Sequence, residues 1–125
     1  VGYRWRCQIE ENAKVLAMNH EIPEMNHNEI VGWTNAPKNM AVILIRDNNE
    51  SKTIMNRINA TKNIAWDSKG IEVTEIHAKG KHPLTRIIST ILLGDLVSIE
   101  LAKLNSIDPT PVRIIEDLKN ILDGN

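Results

Sequence analysis

The chain has 125 residues, a formal net charge of −1 and 25% charged side chains, enough for one domain with a real core and without the basic field that holds nucleic acid. A single cysteine, Cys7, excludes an intramolecular disulfide and a cysteine-built zinc site, and fits a reducing, cytoplasmic compartment. No apolar run reaches the roughly 18 residues of a membrane span and no signal-peptide pattern is present, so a soluble intracellular protein is expected.

The first segment, YRWRCQIEENAKVLAM at positions 3–18, is predicted as a helix with Trp5, Ile9, Ala13 and Leu16 on its apolar stripe. No capping residue precedes it and no initiator methionine begins the chain, so a fragment of a longer polypeptide is expected. The stretch EIPEMNHNEIVGWTNAPKNM is loop chemistry, with a short helical turn around Pro23 to His27. MAVILIRD, 40–47, is a continuous aliphatic run that predicts a strand covered on both faces, as in a parallel sheet. NNESKTIMNRINATKNIA then predicts a helix capped by Asn48 or Asn49, with Ile54, Met55 and Ile58 on one face. After the turn DSKG, the β-branched IEVTEIHA at 71–78 predicts the next strand, which completes a right-handed βαβ unit.

Residues 84–104 predict a long helix that is apolar on two faces. Ile88, Ile91, Leu92, Leu96 and Ile99 form one, and Ile87, Leu93, Val97 and Leu101 the other. One face is expected on the sheet and the second on a subunit or sister domain. Pro109 and Pro111 break the chain before a short amphipathic helix, VRIIEDLKNIL, with Val112, Ile115, Leu118 and Leu122 expected inward. There is no internal repeat and no low-complexity tract.

Little conventional catalytic machinery is present. His20, His27, His77 and His82 lack the spacing of a zinc site, GKHPLTR is not a phosphate-cradling loop, and no Gly-x-Ser-x-Gly elbow occurs. Carboxylates and histidine remain. Glu10 and Glu11 point about 100° apart on a helix, and Glu11 falls on the arc of Cys7, Lys14, Val15 and Met18, beside the apolar stripe. A glutamate at such an edge can lie in a cleft where reduced hydration makes it a proton acceptor near neutrality. From spacing alone the commoner outcome is a helix-surface glutamate paired with Lys14 at i+3. His27, between Asn26 and Asn28, is either a solvated loop residue or a proton-handling group whose tautomer Asn28 and Glu29 fix.

The motifs YRWRCQIEENAK and IPEMNHNEIVGW, the LGDLVSIELAKLNSIDPTPV stretch and the terminal IEDLK resemble the C-terminal sugar-isomerase (SIS) domain of the bifunctional phosphoglucose/phosphomannose isomerases. The resemblance runs over nearly the whole chain. It implies an α/β fold, a three-layer flavodoxin-like parallel sheet flanked by helices, here lacking its first strand, and residues 1–125 as the second of two SIS domains. It implies a homodimer, or association with the missing N-terminal SIS domain, and no cofactor or metal. The implied reaction is aldose–ketose isomerisation of glucose 6-phosphate or mannose 6-phosphate to fructose 6-phosphate through a cis-enediol(ate). The family's Q-I-N-E-N glutamate falls on Glu11, with Glu10 replacing an asparagine, and its N-H-N-E histidine falls on His27, for ring opening across a subunit boundary. Lys119 matches a C-terminal lysine of the family, Thr110 is a nearby hydroxyl, and Arg4, with Arg6, stands as a candidate for substrate charge. Asn26, Asn28 and Glu29 are expected to orient His27. The phosphate-binding loop belongs to the missing domain, so the chain alone is expected to be inactive; a non-catalytic sugar-phosphate-binding or dimerisation SIS module is the alternative.

Overall fold

The computed structural model describes residues 1–37 and 39–124. The chain divides into two compact units, one formed by Val1–Met18 with Thr90–Asn125 and the other by Asn19–Ser89.

The second unit holds the expected strand–helix–strand order. Strands β1 (Ala41–Arg46) and β2 (Glu72–His77) pair in parallel with Ile43 opposite Thr74 and Ile45 opposite Ile76. They form a two-stranded sheet among the described residues. Because side chains alternate across a strand, Val42 and Leu44 of β1 and Val73 of β2 share one face, and this face meets the core. Helix α4 (Lys52–Thr61) brings Ile54 and Ile58 to that core, and the chain then runs through a π-helical stretch, Lys62–Trp66, that brings in Ala65 and Trp66. Trp33 meets Trp66 edge-on, 5.7 Å between centroids at 82°, the geometry favoured by the ring quadrupoles. Two short helices, α2 (Ile22–Met25) and α3 (Glu29–Gly32), precede β1, and Met25 is their anchor in the same core.

Two expectations for this unit are corrected. β1 is covered on one face only: Ala41 and Ile43 on the other are exposed. Ser51, rather than Asn48 or Asn49, caps α4, its hydroxyl accepting from the Ile54 amide at 3.3 Å. At the C-terminal end of β1 the aliphatic run gives way to Arg46, which is 8% exposed. It is tolerated because Glu50 and Glu75 pair with its guanidinium at 2.7 and 2.6 Å, and Lys62 holds the other oxygen of Glu75 at 2.9 Å. The Arg46 hydrogen bond holds Glu50 below the usual carboxylate range, and the Lys62 hydrogen bond does the same for Glu75.

In the first unit, α1 (Gly2–Ala13) lies against α5 (Pro83–Leu104), the helix within which the boundary between units falls. The predicted N-terminal helix continues to Met18; the observed one stops at Ala13, because Lys14 turns to φ 56° and its ammonium donates to the Glu11 carbonyl. That bond satisfies one of the carbonyls a helix end leaves open. Leu16, expected on the buried stripe, is 94% exposed.

The extent of α5 matches the sequence reading, but its buried face does not. Its buried residues are Thr90, Gly94, Ser98 and Ala102, spaced by four along a small-residue row. Trp5 closes onto this row, 4% exposed, with its indole nitrogen donating to the Thr90 carbonyl at 2.8 Å. Asn12 donates to the Ser98 hydroxyl at 2.8 Å, and Ser98 in turn donates to the Asp95 carbonyl. The two apolar faces expected to be covered are largely open, with Ile87, Ile88, Leu92, Leu93 and Leu96 all exposed. Helix α6 (Arg113–Leu122) likewise buries none of its residues, and Ile115, Leu118 and Leu122, expected inward, are exposed.

Candidate active site

Glu11 lies on the solvent side of the last turn of α1, where Cys7, Glu10 and Lys14 follow the same helical edge. These four form one wall of a groove of about 570 Å³; the other wall is the segment Pro111, Val112, Arg113, Ile114 and Ile115. Pro109 and Pro111 end the preceding run and turn the chain back, and Lys14 ties the turn to α1 through the Pro109 carbonyl at 3.5 Å. The groove therefore sets two carboxylates and two cations on largely apolar walls. The expected pairing of Lys14 with the Glu11 carboxylate is not observed, since Lys14 donates to backbone carbonyls. The Glu11 carboxylate has no hydrogen bond or ion pair among the described residues, so its oxygens face the groove and solvent.

His27 belongs to the second unit. It occupies the turn between α2 and α3, is exposed, and its imidazole has no hydrogen-bond partner among the described residues. Asn26, Asn28 and Glu29 are bonded elsewhere, which corrects the expectation that they grip the imidazole. Asn26 donates to Thr61 at 2.9 Å and accepts from Arg57 at 3.4 Å. Asn28 caps α3 by accepting from the Glu29 amide, and donates to Glu24 at 3.3 Å. Glu29 accepts from the Trp33 indole at 2.9 Å and faces His20 Nε2 at 3.2 Å.

Arg4 is held within the fold. Its guanidinium makes two bonds to the Asp95 carboxylate, at 3.1 and 3.2 Å, and so braces α1 on α5. Arg6 lies over the Tyr3 ring, 4.9 Å from its centroid. Lys119 is exposed on α6 with no partner for its ammonium among the described residues, and Thr110 is exposed in the preceding turn, its amide donating to Asp108 at 2.9 Å. Neither of these two lines the groove.

A family profile described as the bacterial phospho-glucose isomerase C-terminal SIS domain matches residues 1–122. The chain belongs to that SIS-domain family. Among curated relatives, the bifunctional phosphoglucose/phosphomannose isomerase of Caldicellulosiruptor bescii is 40% identical over 98% of this chain and 37% of its own length. The enzymes of that name from Aquifex aeolicus and Thermoplasma acidophilum are 35% and 34% identical over 98% and 95% of the chain, and 38% and 37% of their own lengths. The chain thus spans under two-fifths of the length of these relatives. No solved structure is significantly similar to it.

Within this SIS domain the sequence reading placed Glu11 on an accessible helix edge, and the structure does so too. It missed the facing wall, and Arg113 with it. No periodicity marks a wall made by a proline-broken turn; the pair Pro109 and Pro111 was the only signal, read as a helix break. It also missed His20, whose partner lies nine positions on, outside any helical spacing.

Proposed function

We propose that this chain is the C-terminal catalytic part of a two-SIS-domain aldose–ketose isomerase that converts glucose 6-phosphate and mannose 6-phosphate to fructose 6-phosphate. Membership of the SIS-domain family and the names of its relatives support the reaction class. The observation that carries the assignment to residues is the unpartnered Glu11 carboxylate on the wall of the groove. In the open-chain aldose this carboxylate takes the C2 proton while the C1 carbonyl accepts the electron pair, giving an enediol(ate). Returning the proton at C1, as the C2 hydroxyl proton passes to O1, gives the ketose. Glucose and mannose differ only at C2, so they converge on one intermediate, and one base serves both where the pocket accepts either epimer.

His27, with both ring nitrogens unengaged, is the group proposed for opening the cyclic sugar, a step that needs one proton removed from the anomeric hydroxyl and one given to the ring oxygen. Lys119 and Thr110 remain proposed contributors, with an ammonium and a hydroxyl open to a ligand. The exposed apolar rows of α5 suit association with a second copy of the chain or with an N-terminal SIS domain, which would also supply the phosphate anchor. Remote phosphate binding provides much of the energy that positions such a substrate, so the chain alone is expected to be inactive. A cytoplasmic site of action suits a metabolic sugar phosphate.

The test is solvent exchange of the substrate C2 proton in the full-length protein. Glu11→Gln is expected to lower exchange by about 10²–10⁴-fold, the usual contribution of a general base, with substrate affinity nearly unchanged. Exchange within about twofold of the wild type would remove Glu11 from the mechanism.

A further inference from the structure

The polar run from Asn26 to Glu29 divides sharply. Asn26 and Glu29 are bonded to the surrounding fold and Asn28 to Glu24 within the loop, while the His27 imidazole has no hydrogen-bond partner among the described residues. An imidazole that nothing grips can be aimed only by the backbone that carries it. What fixes this backbone is therefore what fixes His27.

Glu29 is the hub. One oxygen accepts from the indole of Trp33, which is 6% exposed and packed edge-on against Trp66. The other oxygen is buried and makes no further hydrogen bond among the described residues, and His20 Nε2 stands 3.2 Å from it. His20 precedes α2 and Glu29 begins α3, so their contact joins the two ends of the segment 20–29, with His27 inside it. Met25, 4% exposed, holds the middle of the segment in the core. A short surface loop with its ends joined and the side chains of Ile22 and Met25 turned inward is a rigid platform. Losing His20 would remove the imidazole that stands against this buried oxygen and would free one end of the loop.

We propose that His20 is a positioning residue for His27, clasping the loop through Glu29. The inference rests on the reading of His27 as the ring-opening group. It gives a function to a histidine that the spacing of motifs leaves idle.

In the full-length protein, His20→Ala is expected to lower kcat/KM on the cyclic sugar phosphate about tenfold, because displacement of a catalytic group by an ångström has effects of that order or more. Turnover of the open-chain aldehyde form, which needs no ring opening, should stay within about twofold. His20→Gln, whose side-chain amide can donate to the buried Glu29 oxygen, should recover most of the loss. Equal losses on both forms, tracking a lower Tm, would mark a merely structural role and overturn the proposal; so would wild-type kinetics in His20→Ala. A His27→Ala control that spares the cyclic substrate would instead refute the role of His27. The clasp is then judged by NMR of the labelled imidazoles: the His27 Cε1–H signal should shift or broaden in His20→Ala, and an unchanged signal overturns it.

Discussion

Gly94→Ala tests the packing of α1 on α5 because two effects of opposite sign compete. In an exposed helix interior the change would stabilise by about 1 kcal/mol, since glycine is the poorer helix former. Here a Cβ at position 94 would fall on Nε1, Cδ1 and Cε2 of the Trp5 indole. The indole cannot retreat cheaply: it is 4% exposed and held at 2.8 Å by its bond to the Thr90 carbonyl. Overpacking of this kind costs about 1–3 kcal/mol, and a broken indole bond adds about 1 kcal/mol. With the overlap reaching three ring atoms the upper end applies, and after the helix-propensity gain the net loss is about 2–3 kcal/mol. For a chain of this size that lowers Tm by about 10 °C. Thermal unfolding followed by circular dichroism, with tryptophan fluorescence reporting on Trp5, reads the result. A Tm equal to or above the wild type would refute the close approach of the two helices, whatever the state of the groove.

Two further outcomes concern the second unit. The pKa values of Glu50 and Glu75 are depressed in the folded state from ordinary values of 4.5, so the stability they contribute is whole above about pH 4.5 and is lost as pH falls through the depressed values. Arg46→Met should remove about 2–3 kcal/mol at pH 7, a buried-pair loss discounted for partial exposure, and should flatten the acid limb in urea titrations at several pH values; an unchanged acid limb would show that Arg46 does not set it. Ser51→Ala should cost about 1 kcal/mol in urea unfolding, whereas Asn49→Ala should stay within about 0.5 kcal/mol. The reverse order would return the cap of α4 to the asparagines.

The elements were more legible than their faces. Hydrophobic periodicity located both strands and the span of α5 because those signals are long and local. It misassigned the packing of α5, since large apolar residues dominate any pattern read from sequence, while the contact is made by Thr90, Gly94, Ser98 and Ala102, residues small enough to admit Trp5. The end of α1 was hidden because its stop is a lysine in the left-handed region, a place where glycine or asparagine is the expected signal. At the site, the accessible helix edge of Glu11 and the loop setting of His27 could be read from spacing and composition. The bond of Asn26 to Thr61, 35 positions away, could not, because it is set by tertiary folding; those of Asn28 to Glu24 and of Glu29 to Trp33 lie at a spacing of four but within a stretch read as loop.

The contacts of Trp5 and Asn12 span 85 and 86 positions of sequence, and the Arg4 brace spans 91. During synthesis at about 5–20 residues per second, α1 is therefore made some 4–17 s before the residues of α5 that it packs against. Residues 19–89, being contiguous, can close their own core in that interval. Throughout it α1, with Trp5 and Glu11 on it, lacks its α5 contacts, and a 12-residue helix without packing is marginal in water. The segment carrying the candidate base is thus made well before the residues that hold it in place, which makes the arrival of Gly94 and Ser98 the step that docks α1.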